Sequence, residues 1–250
     1  MAKVRLDQLL VERGLVESRA RAQALILAGR VRIDGRRIDK AGTAIDPTTP
    51  VEVESDDGWA SRGSHKLLGA IAAFVELRDR ISGADCLDVG ASTGGFTDVL
   101  LRHGANRVIA LDVGYGQLHE RLRQDPRVVI MDRTNIRAVA PGDLPYVPDV
   151  AVCDASFISV RLFLDVVFRE LAPGGLFLVL VKPQFEVGRE KVGKGGVVRD
   201  DVLRQEALDA VTTRAVELGY RAVGAVESPL AGPAGNREWL LLLAKPQTSG

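Results

Sequence analysis

Apolar and polar positions recur in two different rhythms along this chain, and the change of rhythm divides it. Near the start, Leu6, Leu9 and Leu10 share one helical face, and Gly14 stands where that helix should stop. Ser18 can cap a second helix whose apolar stripe is Ala22, Leu25 and Ile26, closed by Gly29. Val31 and Ile33 then alternate with Arg30 and Arg32, the period of a strand. Asp34-Gly35 supplies the positive φ angles of a tight type I′ turn, which carries Arg36 and Arg37 to its tip or onto the return strand. The pattern predicts helix, helix, hairpin.

Further on, Leu67, Ile71 and Phe74 describe an amphipathic helix, and from residue 84 short apolar runs alternate with helical stretches. Strands are predicted at 85–89, 107–112, 127–131, 149–153 and 176–181, with two more at 220–227 and 237–244. Such alternation builds a parallel sheet covered by helices, an α/β fold. Only Ser228 to Asn236 separate the last two strands, too few residues for a crossover helix, so these should form an antiparallel hairpin. The small, polar and glycine residues from Ser55 to Gly63 around Trp59 suggest a break. The predicted organisation is a small domain over 1–58, a linker at 59–63 and a large domain over 64–250.

Composition adds constraints. Hydrophobic residues make up 46% of the 250 and charged residues 26%, enough to build a core. No apolar run approaches the roughly 20 residues a membrane span requires, and no apolar stretch follows the basic N-terminus, so a cytoplasmic protein is expected. Cys86 and Cys153 sit in strand-like runs and read as core thiols, and His65, His103 and His119 are scattered, so no metal site is expected. Net charge is zero, but residues 1–40 hold ten basic and five acidic side chains, and the acids Asp46, Glu52, Glu54, Asp56 and Asp57 follow without a base. One face of the small domain could therefore be strongly positive.

The first strand of the large domain runs into Asp88-Val89-Gly90-Ala91-Ser92-Thr93-Gly94-Gly95-Phe96. Glycines there let the backbone turn and approach a ligand, and the helix that follows points amide groups at it. The spacing lacks the second glycine of a dinucleotide fingerprint, which disfavours a nicotinamide enzyme and leaves it open. Asp112, at the end of the second strand, can accept both hydroxyls of a ribose; Asp132, at the end of the third, is placed for an adenine amino group. Their neighbours Val113 and Arg133 complete an expected adenosyl site. Asp154 and Lys182 end two further strands, Glu238 begins the last, and Lys66 lies on the helix before the sheet. Gly188 to Arg199, with Arg189, Lys191 and Lys194, reads as a mobile basic loop over this edge.

The small domain over 1–58 resembles the alpha-L RNA-binding module through Arg5-Leu6-Asp7, Gly14, Ser18-Arg19, Ala22, Ile26, Gly29, Val31 and Asp34-Gly35. The resemblance implies that Arg5, Arg19, Arg30 and Arg36 face RNA phosphates. The order Lys66, Asp154, Lys182, Glu238, preceded by Ser61-Arg62-Gly63, is similar to the tetrad of FtsJ-like ribose 2′-O-methyltransferases. Nearly the whole chain resembles the hemolysin-A-like rRNA methyltransferases, in Ser61 to Leu67, Asp88 to Thr97, Asp112 to Leu118, Asp154 to Ser159 and Lys182 to Gly188. That resemblance implies a class I, Rossmann-like methyltransferase sheet of seven strands and S-adenosylmethionine as cofactor. It further implies ribosomal RNA or a ribosomal subunit as partner, no membrane, and 2′-O-methylation of a cytidine. The large subunit is the expected target and the small subunit a secondary one, since Lys245 to Gly250 leaves no room for the C-terminal helix of longer relatives. By the same analogy Lys182 is the base, Asp154 and Glu238 orient it, and Lys66 is an electrostatic partner for the substrate. Arg62 joins Arg189, Lys191 and Lys194 as an expected RNA contact. A methyltransferase for protein or small molecules, a pore-forming toxin and a pure ribosome-assembly factor are the alternatives.

Overall fold

The structure is a computed structural model, and it describes all residues except 1, 2, 17, 28, 34, 54–57, 233 and 248–250. The chain divides into two compact units, 1–58 and 59–250.

In the first unit, β1 (Val4–Arg5) leads into α1 (Leu6–Glu12), and α2 (Arg19–Leu27) follows. Gly14 and Gly29 leave the two helices with φ of 66° and 65°, a region that penalises a side chain, and the Ser18 hydroxyl accepts from the Arg21 N–H as the expected cap. β2 (Val31–Ile33) pairs antiparallel with β3 (Arg36–Arg37) and with β5 (Val51–Val53), while β4 (Ala44–Ile45) pairs with β1. Of the predicted turn, Gly35 has φ of 72°; Asp34 lies outside the described residues. Leu6, Leu9, Leu10, Ala22, Leu25, Ile26, Val31 and Ile45 form the core.

Beneath this core's edge sits a charged knot. Asp7 is fully buried and accepts from Arg5 Nε at 3.0 Å, Arg19 Nε at 3.0 Å and Gln23 Nε2 at 2.9 Å. Both guanidinium side chains remain about half exposed.

The second unit contains α3 (Ser64–Ala73), α4 (Val75–Ile81) and then the alternation the apolar runs predict. Its strands are β6 (Asp85–Val89), β7 (Arg107–Leu111), β8 (Val128–Met131), β9 (Val150–Cys153), β10 (Leu176–Val181), β11 (Arg221–Glu227) and β12 (Trp239–Ala244). They form one sheet in the order β11-β12-β10-β9-β6-β7-β8, parallel from β10 to β8, with β12 antiparallel to both its neighbours. Between them come α5 (Gly95–Arg102), α6 (Glu120–Arg123), α7 (Leu164–Glu170), α8 (Pro183–Glu186) and α9 (Asp201–Glu217). One core layer lies between the sheet and α3, α4 and α5; the other lies under α7 and α9. β9 and β10 are buried on both faces, so their sequences read as unbroken apolar runs rather than alternating ones.

The expected linker at 59–63 is instead the opening strap of the second unit. Its Ala60 N–H donates to Asp98 Oδ2 at 2.9 Å, and the Arg102 guanidinium lies 4.2 Å above the Trp59 ring. Asp98 stands in the first turn of α5, where a carboxylate suits the helix dipole, and it also accepts from Arg102 and Arg121. No described helix is long and apolar enough to cross a membrane.

Asp7 carries a prediction for the first unit. The Arg5 guanidinium, with Gln23 and Arg19, holds its carboxyl well below the usual carboxylate range against the opposing effect of burial. Stability from such a depressed group is present above the unfolded value and is lost as pH falls toward the folded one. Asp7→Asn should therefore destabilise residues 4–53 at pH 7 by about 1–3 kcal/mol and flatten their acid sensitivity. Amide hydrogen exchange of the intact chain at pH 2.5 and 7 measures both.

Candidate active site

The carboxyl edge of the parallel strands gathers the groups singled out from the sequence. β6 ends at Val89, and Gly90 turns the chain with φ of 80°; a side chain there would press its Cβ to 3.0 Å from the Ala155 backbone. Gly94, also left-handed, caps α5, and the helix begins at Gly95. Ala91 and Phe96 are buried, and Ser92 is held by its N–H to Asp112 Oδ2 at 2.8 Å. Asp112 accepts a second backbone hydrogen bond, from Gly114 at 2.7 Å, so its carboxylate is fixed at the rim of a cavity of about 520 Å³. That cavity extends from Gly90 and Ser92 past Val113 to Thr134, Asn135 and Ile136.

A narrower cavity adjoins it, between the loop after β6 and the strap Ser61-Arg62-Gly63, with Lys66, Asp88, Asp154 and Lys182 in its walls. Asp88 is 1% exposed. Thr97 Oγ1 donates to its Oδ2 at 2.7 Å, and Oδ1 has no partner among the described residues. Burial pushes this carboxyl up to about 7 despite the Thr97 bond. An unpartnered buried carboxylate oxygen beside a cavity suits a small cation such as an ammonium group.

Asp132 departs from the expectation. Its Oδ2 accepts from the Gly116 N–H at 3.0 Å and faces Arg123 at 3.7 Å, and its side chain is absent from the cavity wall, where Thr134, Asn135 and Ile136 stand. Arg133 turns away as well: it has φ of 55° and lies over the Tyr115 ring at 4.3 Å. The two residues brace the loop after β7 rather than line the cavity.

Lys66, Asp154, Lys182 and Glu238 converge, although 172 residues separate the first from the last. Three of them come from adjacent strands. Asp154 follows β9, Lys182 follows β10, and β12, being antiparallel, starts at the same edge, where Trp239 pairs with Val181. Pro183 at the first turn of α8 directs the chain away immediately after Lys182. The wiring differs from the expected one. Glu238 Oε2 accepts from Lys66 Nζ at 2.7 Å, and Asp154 Oδ2 accepts from the same amine at 3.2 Å. The lysine held by two carboxylates is therefore Lys66. Lys182 Nζ meets Asp154 Oδ1 at 2.6 Å, the Asp154 carbonyl oxygen at 3.0 Å and Ser156 Oγ at 2.7 Å. Asp154 is the shared member. Both lysines and Glu238 are buried.

A third cavity, of about 860 Å³, opens from Lys182 and Glu238 between Phe157, Phe185 and the loop after α8. Phe157 is 91% exposed, takes φ of 67° and tilts against Phe185 with ring centroids 5.6 Å apart. Nothing in the alternation of residues marks this ring; the only sequence signal is an aromatic three positions after a strand-ending Asp. The basic loop is tied down rather than free: Asn236 accepts from the Val198 N–H at 2.9 Å and donates to the Gly196 carbonyl at 2.8 Å. Arg189 reaches the cavity wall, Lys191 pairs with Glu206, Lys194 is exposed, and Arg62 lines the narrow cavity. In the first unit Arg5 and Arg19 flank Asp7, Arg36 is exposed on β3, and Arg30 is half-buried ahead of β2. Among the described residues no group of three His, Cys, Asp or Glu side chains could hold a metal ion.

Comparison with known proteins identifies the family of each unit. Residues 59–245 match the FtsJ-like methyltransferase family and residues 4–51 match the S4 domain. The 16S/23S rRNA (cytidine-2′-O)-methyltransferase TlyA of Mycobacterium tuberculosis (strain CDC 1551 / Oshkosh) is 49% identical over 96% of this chain and 90% of its own. The 23S rRNA (cytidine-2′-O)-methyltransferase TlyA of Campylobacter jejuni is 33% identical over 75% of this chain and 71% of its own. A solved structure from Streptococcus thermophilus, described as a hemolysin, superposes with a TM-score of 0.75 at 40% identity, covering 100% of this chain and 92% of that one.

Asp88 makes the site testable. Its folded value is raised, so the protonated form is favoured, and a bound ammonium would favour the ionised form instead. S-adenosylmethionine should therefore bind more tightly as pH rises from 6 to 8, expelling a proton from Asp88. Asp88→Asn should weaken binding by about 10- to 100-fold at pH 8 and abolish that dependence. Calorimetric titrations in two buffers of different ionisation enthalpy count the proton directly.

Proposed function

The chain belongs to the FtsJ-like methyltransferase family, and from that premise we propose that it methylates the 2′-hydroxyl of a cytidine ribose in ribosomal RNA, chiefly of the large subunit. The observation that carries the reading is the chain of ion pairs Glu238–Lys66–Asp154–Lys182 at the meeting of the cavities. S-adenosylmethionine is the cofactor, and the residues present fit it. Asp88 Oδ1 suits its ammonium, the Gly90 turn admits its close approach, and the fixed Asp112 carboxylate suits its ribose hydroxyls. When bound, it supplies a methyl group activated on a sulfonium.

The chain's own residues must hold the acceptor and take its proton, since a ribose hydroxyl is a poor nucleophile until that proton is removed or polarised. Lys66, gripped by Asp154 and Glu238, acts as a fixed cation that aligns both carboxylates. Lys182 has only one carboxylate and a hydroxyl beside it and takes the proton. Phe157, exposed at the rim and backed by Phe185, offers a face for stacking a nucleobase drawn out of its helix. The arginines of the S4 domain, Arg5, Arg19, Arg30 and Arg36, with Arg62, Arg189, Lys191 and Lys194, contact phosphates and position the RNA without reading its sequence. Ribosomal RNA or a ribosomal subunit in the cytoplasm is the proposed substrate.

Lys182→Ala should lower methyl transfer by about 10²- to 10⁴-fold while leaving S-adenosylmethionine binding within about twofold. Incorporation of labelled methyl groups into purified ribosomal subunits measures the rate, and undiminished turnover would remove the proton-acceptor role. Label that survives ribonuclease would place the methyl group on protein instead. Phe157→Ala should raise KM for the subunit by about tenfold, in line with the loss of about 1–3 kcal/mol of base stacking.

A further inference from the structure

We infer that Ser156 relays the proton from the acceptor hydroxyl to Lys182, an inference that rests on the methyl-transfer reading above. The three acceptors around Lys182 Nζ are Asp154 Oδ1, the Asp154 carbonyl oxygen and Ser156 Oγ, at 2.6, 3.0 and 2.7 Å. Together they occupy all three N–H bonds of an ammonium. A lysine that takes a proton must begin as the amine, with a lone pair that needs a donor. Carboxylate and carbonyl oxygens only accept, whereas a hydroxyl both accepts and donates. Of the three partners, Ser156 alone can rotate its hydrogen toward nitrogen and so partner both forms of Lys182.

Position supports the same role. Ser156 is the only described residue that lines all three cavities, the one beside Asp88, the one beside Asp112 and the one between Phe157 and Phe185. A group serving both cofactor and acceptor has to stand at that junction. The left-handed turn at Phe157 follows directly and carries the chain out to the rim, leaving Ser156 at the wall.

In the step, the acceptor O–H donates to Ser156 Oγ while the Ser156 hydrogen points at the amine of Lys182. As the acceptor oxygen forms its new bond to the methyl carbon, the bond from that carbon to the sulfonium sulfur would break and leave its electron pair on sulfur as a neutral thioether; the oxygen gives its proton to Ser156 Oγ, and the original serine proton passes to Nζ. The acceptor oxygen uses the electron pair of its O–H bond in the new O–C bond. Serine ends neutral and Lys182 ends as an ammonium.

The test compares Ser156→Ala, Ser156→Thr and Lys182→Ala in the full chain, using ribosomal subunits under single-turnover conditions. Ser156→Ala should slow transfer by about 10²-fold, and Ser156→Thr, which keeps the hydroxyl, should restore the rate to within about tenfold. Calorimetry should find S-adenosylhomocysteine binding within about twofold of the parent for both serine variants. In mixtures of light and heavy water, the rate should follow a bowed curve for the parent and the threonine variant, as two moving protons require, and a straight line for the alanine variant. Parental speed in Ser156→Ala, or an unchanged bowed curve, overturns the relay. Loss of S-adenosylhomocysteine binding in step with rate also overturns it, by making Ser156 a cofactor contact. An active Lys182→Ala would sink the proton-acceptor reading itself; an inactive one beside an active Ser156→Ala sinks the relay alone.

Discussion

Everything at the carboxyl edge depends on one carboxylate serving two cations. Asp154 lies between Lys66 and Lys182, and each lysine is nearly excluded from water. Burying an ammonium costs several kcal/mol unless it is paired and its remaining donors are satisfied. Lys66 meets that requirement with a second carboxylate, Glu238; Lys182 meets it with a carbonyl and a hydroxyl. The difference in partners is a difference in chemistry. Lys66 is clamped between two carboxylates, whereas Lys182 has one carboxylate and a hydroxyl that can both accept and donate.

The fold was largely legible because its strands are buried on one or both faces, and burial writes itself into sequence as apolar runs. The hairpin at the end was equally legible, since the connection between its strands is too short for a crossover. Asp154, Lys182 and Glu238 could be placed at one edge because they adjoin strand ends, whereas Lys66, on the helix before the sheet, was singled out only by similarity to the tetrad. The wiring of the four could not be read, because the Lys66–Glu238 pair depends on how α3 packs beside the sheet, and nothing in local spacing carries that. Asp132 and Arg133 lie off the cavity wall for a related reason. A polar residue after a strand can face the ligand or brace its own loop, and Gly116 and Tyr115 draw these two into bracing. The strap at 59–63 was misread as a linker because its composition is that of one; what orders it is Asp98, thirty-eight residues beyond Ala60.

The S4 domain solves a different electrostatic problem with the same device. The proposed phosphate contacts require arginines that are both available and held in place. In Asp7 a single buried carboxylate anchors Arg5 and Arg19 by one edge of each guanidinium while their side chains stay about half exposed. Anchoring of this kind lowers the entropy lost when a phosphate arrives, so the acid that cancels part of the local positive charge can still favour RNA binding.

Strain and unsatisfied polarity are not spread evenly over the second unit. Ser92, Arg133 and Phe157, the three non-glycine residues with positive φ among those described, follow β6, β8 and β9, all at the edge that holds the cavities. Asp88, with its unpartnered oxygen, closes the last turn of β6 before the same edge. A left-handed residue costs of order 1–3 kcal/mol and persists only where the surroundings over-determine it. Two buried layers flank the central strands, so the rigid sheet can support such departures at its rim without losing its own packing. The stability of the interior and the strain of the edge are thus parts of one design: β9 and β10 are apolar along their length, and the residue after each, Asp154 or Lys182, is the charged one at the edge that holds the cavities.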